Sequence, residues 1–288
     1  MILGIAEIFR DLIFISRSND PRSMPSNAAR AATVENFRCV AEEDPRIVAA
    51  FLGGSLASGL ADQYSDIDMY YVIDPSEYES FHSSVKSLID GLSPVAYFDE
   101  HNNFGFDLVL FMLTDGTKGE LALGTSDKLK VMHAGPFKVL VDKKDILKNA
   151  QFPYEKMPEG EALRKDTEKQ LRWYWYWYGI VLTAAARDHL WSAQSALNTM
   201  RSHLFNLLKY SHNLRPGAKV DRSLPRPLLL ELGNTLPTLD PESLKTAAAS
   251  MAMILKRETK GLLKATGAKY PTLFEKTVLA KQVSSSGP

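Results

Sequence analysis

Two aspartates one residue apart, Asp66 and Asp68 in Ser65-Asp66-Ile67-Asp68, open an apolar run that ends at Ile73. Side chains alternate faces along a strand, so both carboxylates point one way while Ile67 and Met69 point the other. Like charges held side by side repel, and a hard divalent cation is their simplest neutralising partner. Upstream, Gly53-Gly54-Ser55 follows the apolar run 47–52. Glycines at a strand-to-helix turn let backbone N–H groups approach an anion, and a helix start favours negative charge. Gly54 and Ser55, joined by Ser65, are therefore the candidate phosphate-binding residues. A nucleoside triphosphate carrying Mg²⁺ needs both parts, donors for its phosphates and carboxylates for the metal. Asp107, isolated in the apolar run 104–111, is the candidate third carboxylate, because a buried unpaired carboxylate is costly.

These residues need a sheet to hold them. Apolar positions at helical spacing predict a helix over 28–43, closed by Asp44-Pro45. Strands are expected at 47–52 and 66–73, then a helix over 75–90 with Gly91 behind it. Two strands, 94–100 and 104–113, read as an antiparallel hairpin. A short helix over 118–123 and a strand over 137–141 follow. Beyond the linker 151–160 the pattern is helical throughout: 161–188, 191–213, 224–232, 241–265 and 271–283. The Asp240-Pro241 pair supplies a cap and a first-turn proline. The expected class is α+β, a mixed sheet with helices followed by an all-α bundle. Residues 1–28 read as a peripheral extension, 29–150 as the catalytic domain, 151–283 as the helical domain and 284–288 as a disordered tail.

Composition narrows the function classes. The 288 residues carry 34 basic and 34 acidic side chains, and nucleic-acid or anionic-membrane binders normally show a basic surplus. No segment is long and uncharged enough to span a bilayer, and the N-terminus lacks the pattern of a signal peptide. The single cysteine, Cys39, forms no internal disulfide, which suits a reducing cytoplasm, and it reads as a small core residue. The Gly-Lys-Ser/Thr ending of a P-loop is missing after Gly53, which argues against an ATPase. The aromatic run 173–178 reads as core or subunit packing, and its excess for one helix points to a homodimer. Lys169 and Arg172 are candidate phosphate or acceptor contacts beside a reading as solvated charges. Glu120 is a candidate acceptor contact.

Gly-Gly-Ser, a spacer with Gly59, then Ser65-Asp66-Ile67-Asp68 before an apolar strand resembles the signature of polymerase-β-type nucleotidyltransferases. Within that superfamily, residues 62–68, 105–111 and 117–120 are similar to the antibiotic-modifying members, the lincosamide and aminoglycoside nucleotidyltransferases. The resemblance implies transfer of a nucleoside monophosphate from a triphosphate, ATP among them, to a hydroxyl of a small molecule, with release of pyrophosphate. It also implies Mg²⁺; charge and geometry lead to the expectation of two ions held by Asp66 and Asp68, with Asp107 ligating the catalytic ion and acting as general base on the acceptor hydroxyl. Many relatives carry a basic residue just after the second motif glycine, where this chain has Leu60, so cations for the triphosphate must come from elsewhere. Alternatives are a protein AMP-transferase of a toxin-control pair, which the helical second half disfavours, and a nucleotide-binding module without turnover, which the complete aspartate set disfavours.

Overall fold

The computed structural model describes residues 27–154 and 156–284, with side chains as far as residue 280. The expected extension and tail lie outside these residues, apart from residues 27, 28 and 284. The chain divides into two compact units after Tyr154.

The first unit opens with helix α1 (Asn27–Glu43) and strand β1 (Ile47–Leu52). A one-turn helix α2 (Gly54–Ser58) leads to β2 (Ile67–Ile73). The helix expected over 75–90 is broken into a 3₁₀ turn (Pro75–Glu77), α3 (Tyr78–His82) and α4 (Val85–Leu92). Ser83 and Ser84 lie at the break, where their hydroxyls donate to the carbonyls of Glu79 and Phe81, at 2.8 and 2.7 Å, and compete with the helical ladder. The hairpin is present as β3 (Val95–His101) and β4 (Asp107–Leu113).

The stretch expected as a short helix is instead a strand, β5 (Lys118–Gly124). Exposed Lys118 and Glu120 alternate with buried Gly119 and Leu121, a period of two that the helical reading passed over. Gly119 allows β5 to lie close against β2: a Cβ there would come within 2.6 Å of the Ile67 carbonyl oxygen. A short helix α5 (Leu129–Met132) and β6 (Lys138–Asp142) complete the unit. The strand order is β3-β4-β5-β2-β1-β6, with β2 and β5 parallel and the other pairs antiparallel.

The two sheet faces differ in what covers them. Ile67, Met69, Tyr71, Val109, Phe111, Leu121 and Leu123 point into a core shared with Phe37 of α1 and Phe81, Val85 and Ile89 of α3 and α4. The Tyr71 hydroxyl is satisfied there by donating to the Phe37 carbonyl at 2.6 Å. On the other face a second cluster packs Phe51, Tyr70 and Phe152, with His133 edge-on to all three rings. It covers part of β1 and β2 and leaves Glu120 exposed. Cys39, expected in the core, is only half-buried, because Phe37 and Ala41 take the inward positions of α1.

The second unit is helical: α6 (Gly160–Ala186), α7 (Leu190–Ser211), α8 (Val220–Ser223), α9 (Arg226–Gly233), α10 (Pro241–Glu258), α11 (Lys260–Thr266) and α12 (Thr272–Ser284). Its core joins Leu171, Tyr174, Trp175 and Tyr178 of α6 to Leu204 and Leu208 of α7 and to Met251 and Leu255 of α10. The aromatic run is thus split. Tyr174, Trp175 and Tyr178 are interior, whereas Trp173 and Tyr176 remain 43% and 47% exposed.

Candidate active site

β1 and β2 are neighbouring antiparallel strands, so the turn leaving one reaches the residues that open the other. The Gly53 N–H donates to the Asp68 carbonyl at 2.9 Å and fixes the turn against β2. Gly54 has φ +55°, and a Cβ built on it would lie 1.8 Å from Asp68 Oδ2. Only a glycine fits there, in conformation and in space. The N–H groups that begin a helix have no partner within it, so the start of α2 presents donors beside the Asp68 carboxylate. Ser55 is half-exposed at this point.

Ser65 serves the turn before β2. Its Oγ accepts from the Asp62 N–H at 2.9 Å and donates to Asp62 Oδ1 at 3.1 Å. The buried Arg30 of α1 donates to the Ser65 carbonyl at 3.0 Å. The Ser65 hydroxyl is therefore committed to Asp62, and the turn sets where Asp66 projects.

Asp68 pairs in register with Glu120 of the parallel strand β5, so both side chains stand on the same sheet face. Burial, then the charges of Glu120 and Asp66, hold the Asp68 carboxyl above the usual carboxylate range. The ammonium of Lys118 lies 2.9 Å from Asp66 Oδ1. That oxygen is closed to solvent, and the approach of Lys118 does not make a well-angled hydrogen bond.

Asp107 is elsewhere, which corrects the expected three-aspartate set. It pairs with Leu123, not with Glu120, and Leu123 points into the helix-covered core. Side chains three residues apart on a strand face opposite ways, so Asp107 and Glu120 lie on opposite faces of the sheet. The Asp107 carboxylate accepts from the Tyr78 hydroxyl at 2.5 Å, and His82 Nε2 stands 3.7 Å away. It borders a cavity of about 300 Å³ with Tyr78, Phe106, Thr125 and Lys128. The partner of Asp107 is thus a tyrosine of α3, and the residue beside the aspartate pair is Glu120. The signal was present in Lys118-Gly119-Glu120-Leu121, an alternating strand with a lone carboxylate, but the register that aligns it with Asp68 is tertiary.

Lys169 and Arg172 are exposed on α6 in the second unit, and Arg172 lies 3.9 Å from Glu168. That unit also holds a cavity of about 1220 Å³, lined by Tyr176, Thr183, Glu242, Lys245 and Phe274.

The residues of the first unit suit a divalent ion. Asp66, Asp68 and Glu120 offer only carboxylate oxygens, the donors that Mg²⁺ prefers, and Asp66 Oδ1 is a shielded acceptor without a hydrogen bond. Among the described residues no group of three or more His, Cys, Asp or Glu is gathered closely enough to hold an ion.

No curated protein matches the chain. An aminoglycoside 6-adenyltransferase from Bacillus subtilis aligns with it at 16% identity, over 91% of this chain and 99% of that one, with a TM-score of 0.43. A nucleotidyltransferase-like protein from Exiguobacterium sibiricum aligns at 14% identity, over 82% and 79%, with a TM-score of 0.38. The profile described as streptomycin adenylyltransferase matches residues 29–279, nearly the whole described chain. This chain belongs to the streptomycin adenylyltransferase family, and is a polymerase-β-type nucleotidyltransferase.

Proposed function

We propose that the chain transfers the adenylyl group of ATP to a hydroxyl of an aminoglycoside, and so serves antibiotic resistance. The observation that carries this reading is the in-register pair Asp68 and Glu120 beside the glycine turn at Gly54. The family match supports the adenylyl donor and the aminoglycoside acceptor.

Asp66, Asp68 and Glu120 would hold Mg²⁺, in one or two ions, and bound metal supplies charge neutralisation at the phosphates of the triphosphate. Backbone donors at Gly54 and Ser55 orient the outer phosphates, and Asp68 is held against that turn by the space only Gly54 leaves. The acceptor oxygen forms its bond to the α-phosphorus as the bond from that phosphorus to the bridging oxygen breaks, and pyrophosphate leaves. Glu120, exposed at its end of β5, takes the acceptor proton on its carboxylate, the role expected of Asp107.

The test is pyrophosphate release with each of the four triphosphates, against aminoglycosides, lincosamides and no acceptor. Release with ATP and an aminoglycoside is expected. Glu120→Gln and Asp66→Ala should lower it by about 10²-fold or more with the circular dichroism spectrum intact, the scale of losing a general base or a ligand. Asp107→Asn should keep most of the rate. A rate that falls with Asp107→Asn and survives Glu120→Gln would return the site to the three aspartates.

A further inference from the structure

We propose that Lys118 is the resident counter-cation of the carboxylate cluster, an ammonium that gives up Asp66 to an arriving divalent ion and turns to the phosphates of the triphosphate. This inference rests on the site reading given above.

The starting observation is a pairing with a surplus on one side. Asp66, Asp68 and Glu120 stand on one face of the sheet, and among the described residues the ion pair made there is that of Lys118 with Asp66, 2.9 Å from its Oδ1. Lys118 stands two residues before Glu120 on β5, so it shares the face of Glu120 and Asp68. The oxygen it approaches is closed to water and makes no hydrogen bond. The contact is therefore one of charge at short range, without the angular fit that would lock it.

Lys118 is also built to move. Its side chain is 52% exposed, and a lysine is a point charge on a flexible four-carbon stem that makes no fork-shaped bond to carboxylate. A bound divalent ion would supply twice the charge of the ammonium at Asp66, so Lys118 would give up that carboxylate rather than share it. The released ammonium is at the start of β5, on the face where the Gly54 turn meets Asp68. No lysine or arginine occurs between Gly53 and Ser65, and Leu60, 73% exposed, carries no charge. The turn therefore offers the phosphates backbone and hydroxyl donors but no cation, and Lys118 supplies the missing positive side chain. The triphosphate and the metal are then bound in a linked way, since the ion frees the side chain that the phosphates need.

The experiment uses the full chain without nucleotide and Mn²⁺ alone as probe, with free ion followed by electron paramagnetic resonance. Lys118→Met keeps the stem and removes the charge. It should bind Mn²⁺ about twofold to fivefold tighter than the wild type, the range that one partly exposed ion pair accounts for. At saturating Mn²⁺, α,β-methylene-ATP should bind several-fold more weakly to Lys118→Met, and Lys118→Arg should restore most of that loss. A strand clamp without this role predicts a lower melting temperature and no gain in Mn²⁺ affinity. Equal or weaker Mn²⁺ binding in a folded Lys118→Met overturns the proposal, as does unchanged binding of the triphosphate analogue. Asp66→Asn separates the two levels. If it binds Mn²⁺ as the wild type does, the metal site itself is misplaced and the inference falls with it. If it loses Mn²⁺ and Lys118→Met gains nothing, the inference alone fails.

Discussion

Gly54 sits where the turn leaving β1 and the carboxylate strand β2 come nearest each other. With φ +55° and a Cβ position 1.8 Å from Asp68 Oδ2, any other residue must strain its backbone and push the carboxylate aside. A left-handed non-glycine conformation costs about 1–2 kcal/mol, and a displacement of about 1 Å in a reacting site can cost 10²-fold in rate. Gly54→Ala should therefore lower pyrophosphate release by about two orders of magnitude while the melting temperature falls only a few degrees. A variant with near-normal rate would show that the Asp68 position is not critical. Glu120 and Asp107 make the complementary point. Both are lone carboxylates on strands, and their neighbours in sequence do not distinguish them. Asp107 has the Tyr78 hydroxyl for a partner, whereas Glu120 has Asp68 across the ladder. The aspartate pair and the glycine turn were legible because alternation and φ > 0 are local properties. The third carboxylate was not, because register is set by pairing across the sheet.

At the scale of elements, the junction of α1 and β1 is held by a small ionic clamp. Arg46 donates to both Asp44 oxygens, its Nη1 reaches the Ser80 carbonyl at 3.1 Å and its Nη2 the Ser84 hydroxyl at 3.2 Å. This ties the strand that feeds the Gly53 turn to α3 and the residues before α4. The hydrogen bonds from Arg46 hold the Asp44 carboxyl below its usual range, with the Arg46 N–H and the Lys143 charge acting the same way against a smaller cost of burial. A carboxyl depressed by folding stabilises the protein above its unfolded pKa and loses that contribution as pH falls through the folded value. Asp44→Asn should thus melt lower than the wild type at pH 7, by about 1 kcal/mol or less, with the gap closing as pH drops from about 4. A gap that persists unchanged at pH 2 would show that packing, not charge, holds the junction. The misread strand β5 belongs to this scale too. Seven residues with two glycines give too short a window for periodicity to separate helix from strand, and the pairing with β2 and β4 decides it.

At the scale of the molecule, the first unit carries the Gly53-Gly54 turn and the carboxylates, and the second carries a core of its own. That core draws on Trp175, Leu204, Leu208, Met251 and Leu255, with Tyr174 and Tyr178, all within residues 156–284. A unit with a contiguous apolar core and short connections can fold alone. A fragment of residues 156–288 should show a helical circular dichroism spectrum and one cooperative thermal transition. A gradual, non-cooperative melt would mean that the helices depend on the rest of the chain. No helix among the described residues is long and apolar enough to cross a membrane.

The sequence by itself determined the two-part division of strands and helices, the Gly53-Gly54 turn and the Asp66/Asp68 pair. These follow from short-range rules: which φ a residue tolerates, where alternate side chains point, and how apolar spacing repeats. Tertiary structure alone decided that Glu120 faces Asp68, that Asp107 lies on the opposite face, and that Lys118 meets Asp66. Those three facts depend on which strands lie side by side and in what register, a choice made by the shared core of the sheet and beyond the reach of any local window.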